Sequence, residues 1–112
     1  MGNYVIDYFE LPTQDLPASR RFFSEAFGFG HVDYGPGYCE ITGSPVLGAL
    51  NGEPDIPSPV LGLRTGDIGA AVAAIEAAGG TVTVPVYDYP GGQRFFFREP
   101  GGSVLMCYCP AE

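Results

Sequence analysis

Two charged side chains sit where acid–base chemistry could arise: Glu10, in an apolar strand-like run, and Arg64, in a second run of the same kind. A carboxylate in a hydrophobic cleft has a raised pKa and can give or take a proton, while an arginine can hold an anionic substrate group. The same two residues can instead bond to each other or reach solvent at a sheet edge, and structural ion pairs shift pKa values as well. Both readings stay open. Tyr8, Tyr38 and Tyr108 fit either a site or a wall that keeps its hydroxyl in water.

Other chemistries find less material. The chain has 1 histidine, His31, which has no placed partner and reads as a half-exposed strand residue. The 3 cysteines, Cys39, Cys107 and Cys109, form no disulfide framework and lack the second Cys or His pair of a zinc set, so they read as small buried hydrophobes. No serine lies in a Gly-x-Ser-x-Gly elbow. Phe27-Gly-Phe-Gly30 and Pro90-Gly-Gly92 follow a helix or join strands, so they are turns and not phosphate cradles.

Composition narrows the partners. The 112 residues suit one domain with a real core. There are 13 acids against 5 arginines and no lysine, a formal charge of −8. Such a chain lacks the basic cluster that a nucleic-acid backbone or an anionic membrane requires. The apolar runs fall short of a membrane span and residues 1–20 carry no leader pattern, so a cytoplasmic protein is expected.

The elements that must position these residues come as a repeat. Tyr8-Phe-Glu-Leu-Pro-Thr-Gln-Asp15 and Val60-Leu-Gly-Leu-Arg-Thr-Gly-Asp67 are short strands, 52 residues apart, that each end at an N-capping aspartate. A helix follows each cap, with Ala18, Phe22, Phe23, Ala26 and Phe27 on one face of the first and Ile68, Ala71, Val72, Ile75 and Ala78 on one face of the second. Gly28 and Gly79-Gly80 stop the helices. Strands are then predicted at 30–34, 38–42 and 46–50, and again at 81–86, 93–98 and 104–109. Residues 51–59, with three prolines, read as a linker between modules 4–50 and 60–109 of one domain, 1–112.

Alternation along the strands predicts that Phe9, Leu11, Leu61 and Leu63 pack under the helices. Tyr8, Glu10 and Pro12, with Val60, Gly62 and Arg64, then face the other way. The expected class is α+β: two tandem β-α-β-β-β modules forming a curved mixed sheet with a cleft and with helices on the outer face. If a four-residue turn pairs Phe95 with Met106, the cleft is lined by Tyr8, Glu10, Arg64, Phe95, Phe97, Met106 and Tyr108. Cys107 and Cys109 then lie beneath the helices.

The duplicated module, the "Asp-Leu-Pro-Ala-Ser-Arg-Arg-Phe-Phe…Phe-Gly-Phe" of the first half and the "Phe-Phe-Phe-Arg-Glu-Pro-Gly-Gly-Ser" of the second, resemble the vicinal oxygen chelate superfamily. That is the group of glyoxalases, bleomycin-resistance proteins, fosfomycin-modifying enzymes and extradiol dioxygenases. The resemblance implies a divalent-metal site built from His and Glu or Gln on the first and last strands of the modules. In this chain the first-strand positions fall on Tyr8 and Val60, and the last-strand carboxylate position on Met106, a soft thioether. Pro45-Val-Leu-Gly-Ala-Leu50 carries no carboxylate or imidazole. No metal or other cofactor is therefore expected. Metal-free relatives bind antibiotics, so the resemblance implies a site for a small amphipathic or aromatic compound, and family habit implies a homodimer. Two alternatives remain: a metal-independent lyase or isomerase with Glu10 as its acid or base, and a non-catalytic dimeric interaction module.

Overall fold

Aspartates start both helices. In the computed structural model, which describes residues 4–53 and 58–111, Asp15 Oδ1 accepts from the Ala18 amide at 3.1 Å and Asp67 Oδ1 from the Ala70 amide at 3.0 Å. Each cap is itself steadied by a threonine two residues earlier: Thr13 Oγ1 accepts from the Asp15 amide and Thr65 Oγ1 from the Asp67 amide. The repeat seen in the sequence is thus a repeated strand-to-helix corner.

The first module runs β1 (Tyr4–Pro12), α1 (Leu16–Phe27), β2 (Gly30–Asp33), β3 (Tyr38–Thr42) and β4 (Leu47–Asn51). The second runs β5 (Val60–Thr65), α2 (Ile68–Ala77), β6 (Thr81–Tyr89), β7 (Gly92–Arg98) and β8 (Val104–Pro110). The wiring is the same in both. β1 lies parallel to β4, which pairs antiparallel with β3 and β3 with β2. β5 lies parallel to β8, which pairs antiparallel with β7 and β7 with β6. The protein is therefore α+β, with the tandem β-α-β-β-β arrangement. Among the described residues two compact units emerge, one within 8–60 and the other within 61–111, the latter joined by residues 4–7. Of the linker expected at 51–59, Asn51 closes β4, and residues 54–57 lie outside the described residues.

Each helix covers a core on one face of its own strands. Leu16, Cys39, Ile41 and Leu50 are buried in the first, with Phe9, Leu11, Phe23 and Phe29 packed against them. Gly48 is needed there because a Cβ would collide with the Phe9 ring. Ala71, Phe95, Phe97 and Cys107 are buried in the second, with Leu63, Ile68, Val72 and Ile75 around them.

Three expectations about packing need correction. Phe22 and Phe27 are 56% and 59% exposed, because α1 turns Leu16 and Phe23, seven residues apart on one stripe, toward the core. They instead meet Phe23 edge-on or tilted. Leu61 is 53% exposed and only Leu63 packs. Phe95 and Phe97 lie in the core beneath α2, not beside Met106: Phe95 pairs with Cys107 and Phe96 with Met106.

The register explains that last correction. Five residues, Glu99–Ser103, separate the paired Arg98 and Val104. The Glu99 carboxylate accepts from the Gly101 amide at 2.7 Å and the Ser103 amide at 2.8 Å, which clamps the longer loop and holds this carboxyl below its usual range. One extra loop residue moves every β7 side chain to the opposite face. β6, which ends the strand order of its module, carries Pro85 and two register shifts, between Val82 and Val84 and between Val84 and Tyr87.

Candidate functional site

In the first module, the face of β1 away from α1 presents Tyr8 and Glu10, and pairing sets Ala49 beside Glu10 and Asn51 beside Tyr38. Glu10 is fully buried. Its Oε2 accepts from the Tyr38 hydroxyl at 2.5 Å and its Oε1 from Asn51 Nδ2 at 2.9 Å. Tyr8 and Tyr38 hydroxyls lie 2.8 Å apart, and Asn51 Oδ1 accepts from the Glu53 amide at 2.8 Å. A buried carboxylate is tolerated only with such partners. Burial, with the charge and hydrogen bond of Glu10 and the neighbouring Tyr8 adding to it, pushes the Tyr38 phenol well above its ordinary pKa. Tyr38 therefore stays a donor throughout the neutral range.

In the second module, two groups meet the face opposite α2. Asp7 takes Arg64 Nε at 2.8 Å and the Tyr108 hydroxyl at 2.5 Å. Burial first, then the Asp7 hydrogen bond and charge, raise the Tyr108 phenol, with Arg64 pulling it back. The other group is built on Arg94, only 2% exposed and paired across the strands with Tyr87 and Tyr108. Its Nε donates to the Tyr87 hydroxyl at 2.7 Å and its Nη1 to Met106 Sδ at 3.3 Å. The guanidinium carbon lies 4.5 Å from the Tyr89 ring centre, 5.5 Å from Tyr87 and 5.6 Å from Phe96, within cation–π range of all three.

The residues expected to matter make the following contacts within their own modules. Tyr8 and Glu10 belong to the carboxylate cluster, Arg64 and Tyr108 to the Asp7 cluster, Met106 to the Arg94 cage, and Phe95 and Phe97 to the core. His31 stands on an exposed strand 3.9 Å from Asp33. Arg94, Tyr87, Tyr89, Asn51 and Asp7 were not foreseen. A count that gave the Glu99 clamp its fifth loop residue would have turned Arg94 and Phe96 toward Met106.

The positions that the resemblance assigns to a metal do not fit one. The Tyr8 hydroxyl is engaged by Tyr38, Val60 is a hydrocarbon, and the Met106 thioether accepts from a guanidinium. Among the described residues no group of three or more His, Cys, Asp or Glu could hold a metal ion. Nor is any helix long and apolar enough to cross a membrane. One open recess of about 360 Å³ lies at the start of α1, lined by Thr13, Asp15, Pro17, Gly37 and Glu53 among others. Its two carboxylates disfavour an anionic guest there.

Comparison with known proteins agrees with the wiring. An uncharacterized protein of Mycolicibacterium smegmatis is 31% identical over 116 residues, covering 100% of this chain and 99% of its own. Methylmalonyl-CoA epimerase from Mycobacterium tuberculosis shares the fold at a TM-score of 0.73 and 17% identity, over 96% of this chain and 88% of that one. A superfamily member from Vibrio splendidus does so at 0.71 and 18%, over 93% and 97%. A structure described as NAD-dependent benzaldehyde dehydrogenase from Legionella pneumophila scores 0.78 at 12% identity, over 94% and 99%. At such identities the likeness is one of fold alone. The family model matches residues 5–106, and with the duplicated strand-helix-three-strand wiring it places this chain in the Glyoxalase/Bleomycin resistance protein/Dioxygenase superfamily.

Proposed function

We propose that the chain is a single glyoxalase/bleomycin-resistance-like domain that binds a small amphipathic or aromatic compound without a metal. The observation that carries this reading is the Arg94 cage. Tyr87 and Tyr89 are only partly buried above a guanidinium that is 2% exposed, so their rings offer a flat ligand a stacking surface backed by positive charge. Met106 and Tyr108, buried on the neighbouring strand, support the guanidinium from within the module. On the same module Arg64 supplies a polar group already held by its hydrogen bond to Asp7, which lowers the ordering cost of binding. Three free thiols suit the reducing cytoplasm, and exposed Phe22 and Phe27 on α1 suit a homodimer, which sedimentation equilibrium would test.

The ligand reading is tested by tyrosine fluorescence, undisturbed because the chain has 0 tryptophans. Titration with a panel of aromatic carboxylates and phenols should show saturable quenching, and Tyr89→Ala should weaken it about tenfold, the loss of one stacking partner. Binding that ignores Tyr89→Ala, or a panel without a binder, overturns it.

A second reading uses Glu10 as the acid or base of a metal-independent lyase or isomerase, favoured by its full burial and by the Tyr38 hydroxyl at 2.5 Å, which orients the carboxylate. It requires that Glu10→Gln abolish turnover while circular dichroism shows the fold intact. Under the binding reading the same change barely alters ligand affinity.

A further inference from the structure

The position where a metal-binding relative would place its last-strand carboxylate is Met106, and the atom facing its sulfur is a nitrogen of Arg94 at 3.3 Å. Met106 is fully buried, so this contact belongs to the interior of the module. Arg94 is held from several sides. Tyr87 accepts from its Nε, the rings of Tyr89, Tyr87 and Phe96 surround its guanidinium carbon, and Met106 accepts from Nη1. Aromatic faces and a thioether are poor ligands for a hard divalent ion but good neighbours for a weakly hydrated, delocalised cation. We infer that Arg94 is a resident organic cation standing in for the metal ion, and that its cage is a built site for an alkylguanidinium group. Two consequences follow. A divalent ion is refused because the guanidinium already occupies the place and the donors it needs are missing, and the cation on this face is fixed and hydrogen-bonding, never exchangeable or Lewis-acidic. The inference stands whether or not the chain binds an aromatic compound.

Chemical rescue tests it. Arg94→Ala empties the cage, and ethylguanidinium, far below denaturing concentration, should raise the melting temperature of that variant by about 5 °C while leaving the unmodified protein unchanged. Ethylurea, neutral and nearly the same shape, should fail. Equal rescue by ethylurea means the cage selects volume and not charge, and no rescue of a folded Arg94→Ala protein means there is no cation site; either overturns the inference. Should Arg94→Ala not fold, equilibrium dialysis decides. Neither the unmodified protein nor Met106→Glu, whose new carboxylate would meet Arg94, should retain Mn²⁺, Ni²⁺ or Zn²⁺ in stoichiometric amount, and retention by either overturns it.

Discussion

The two modules share their wiring and their helix caps, yet on the face away from its helix each buries a charge of opposite sign, Glu10 on β1 of the first and Arg94 on β7 of the second. In the first, the β3 residue paired with Asn51 is Tyr38, which donates to a buried carboxylate. In the second, the β7 residue paired with Tyr108 is Arg94, a buried cation among rings. What both halves keep is what any such module needs: an aspartate cap preceded by a threonine, a parallel crossover and an apolar face under the helix. What differs lies on the opposite face, where the scaffold places no demand on chemistry. Function is therefore to be sought in that difference.

The sharpest way to break the comparison is to remove each buried charge in turn. Arg94→Ala should cost about 3–5 kcal/mol in urea unfolding, since it deletes a large buried side chain and strips Tyr87 and Met106 of a partner. Glu10→Gln should cost less, about 1–3 kcal/mol, because the amide keeps the volume but turns a donor toward Tyr38 or Asn51. If the order is reversed, the carboxylate cluster and not the Arg94 cage is the better anchored of the two.

Alkaline titration compares the modules through one phenol each. Tyr38 and Tyr108 both have raised folded-state pKa values. The stability they contribute is complete below the unfolded tyrosine value of about 10 and is lost as pH rises through the raised ones. Ultraviolet titration should show them ionising late, with Tyr38→Phe and Tyr108→Phe each removing one late step. A normal titration of all phenols would contradict the burial described for both modules. The smallest effect should come from the caps: Asp15→Ala and Asp67→Ala should each cost about 1 kcal/mol, and equally, because their geometry matches.

Much of this was legible beforehand. Caps, helices and the six later strands follow from local chemistry: an aspartate before an apolar period, a glycine after it, and alternation between turns. The family resemblance rests on the same features. The site was legible only in part, because its composition depends on register, a property of loop length and not of strand sequence. Reading the Glu99 loop as four residues exchanged Phe95 and Phe97 for Arg94 and Phe96, and so put hydrocarbon where a charge belongs. Strict alternation also groups Asp7 with Phe9 and Leu11, whereas its carboxylate meets Arg64 and Tyr108.

Pro85 gives β6 a role in solubility. Thr81-Val-Thr-Val-Pro-Val86 would be a β-branched, uncharged tape with Val84 and Val86 each 37% exposed, were the proline not there to withhold an amide and the two register shifts not there to bend the strand. A strand of that composition, laid flat at an edge, is a template for cross-β growth. The irregularity of β6 acts as a gatekeeper, protecting a valine-rich segment from pairing with its own kind in a crowded cell.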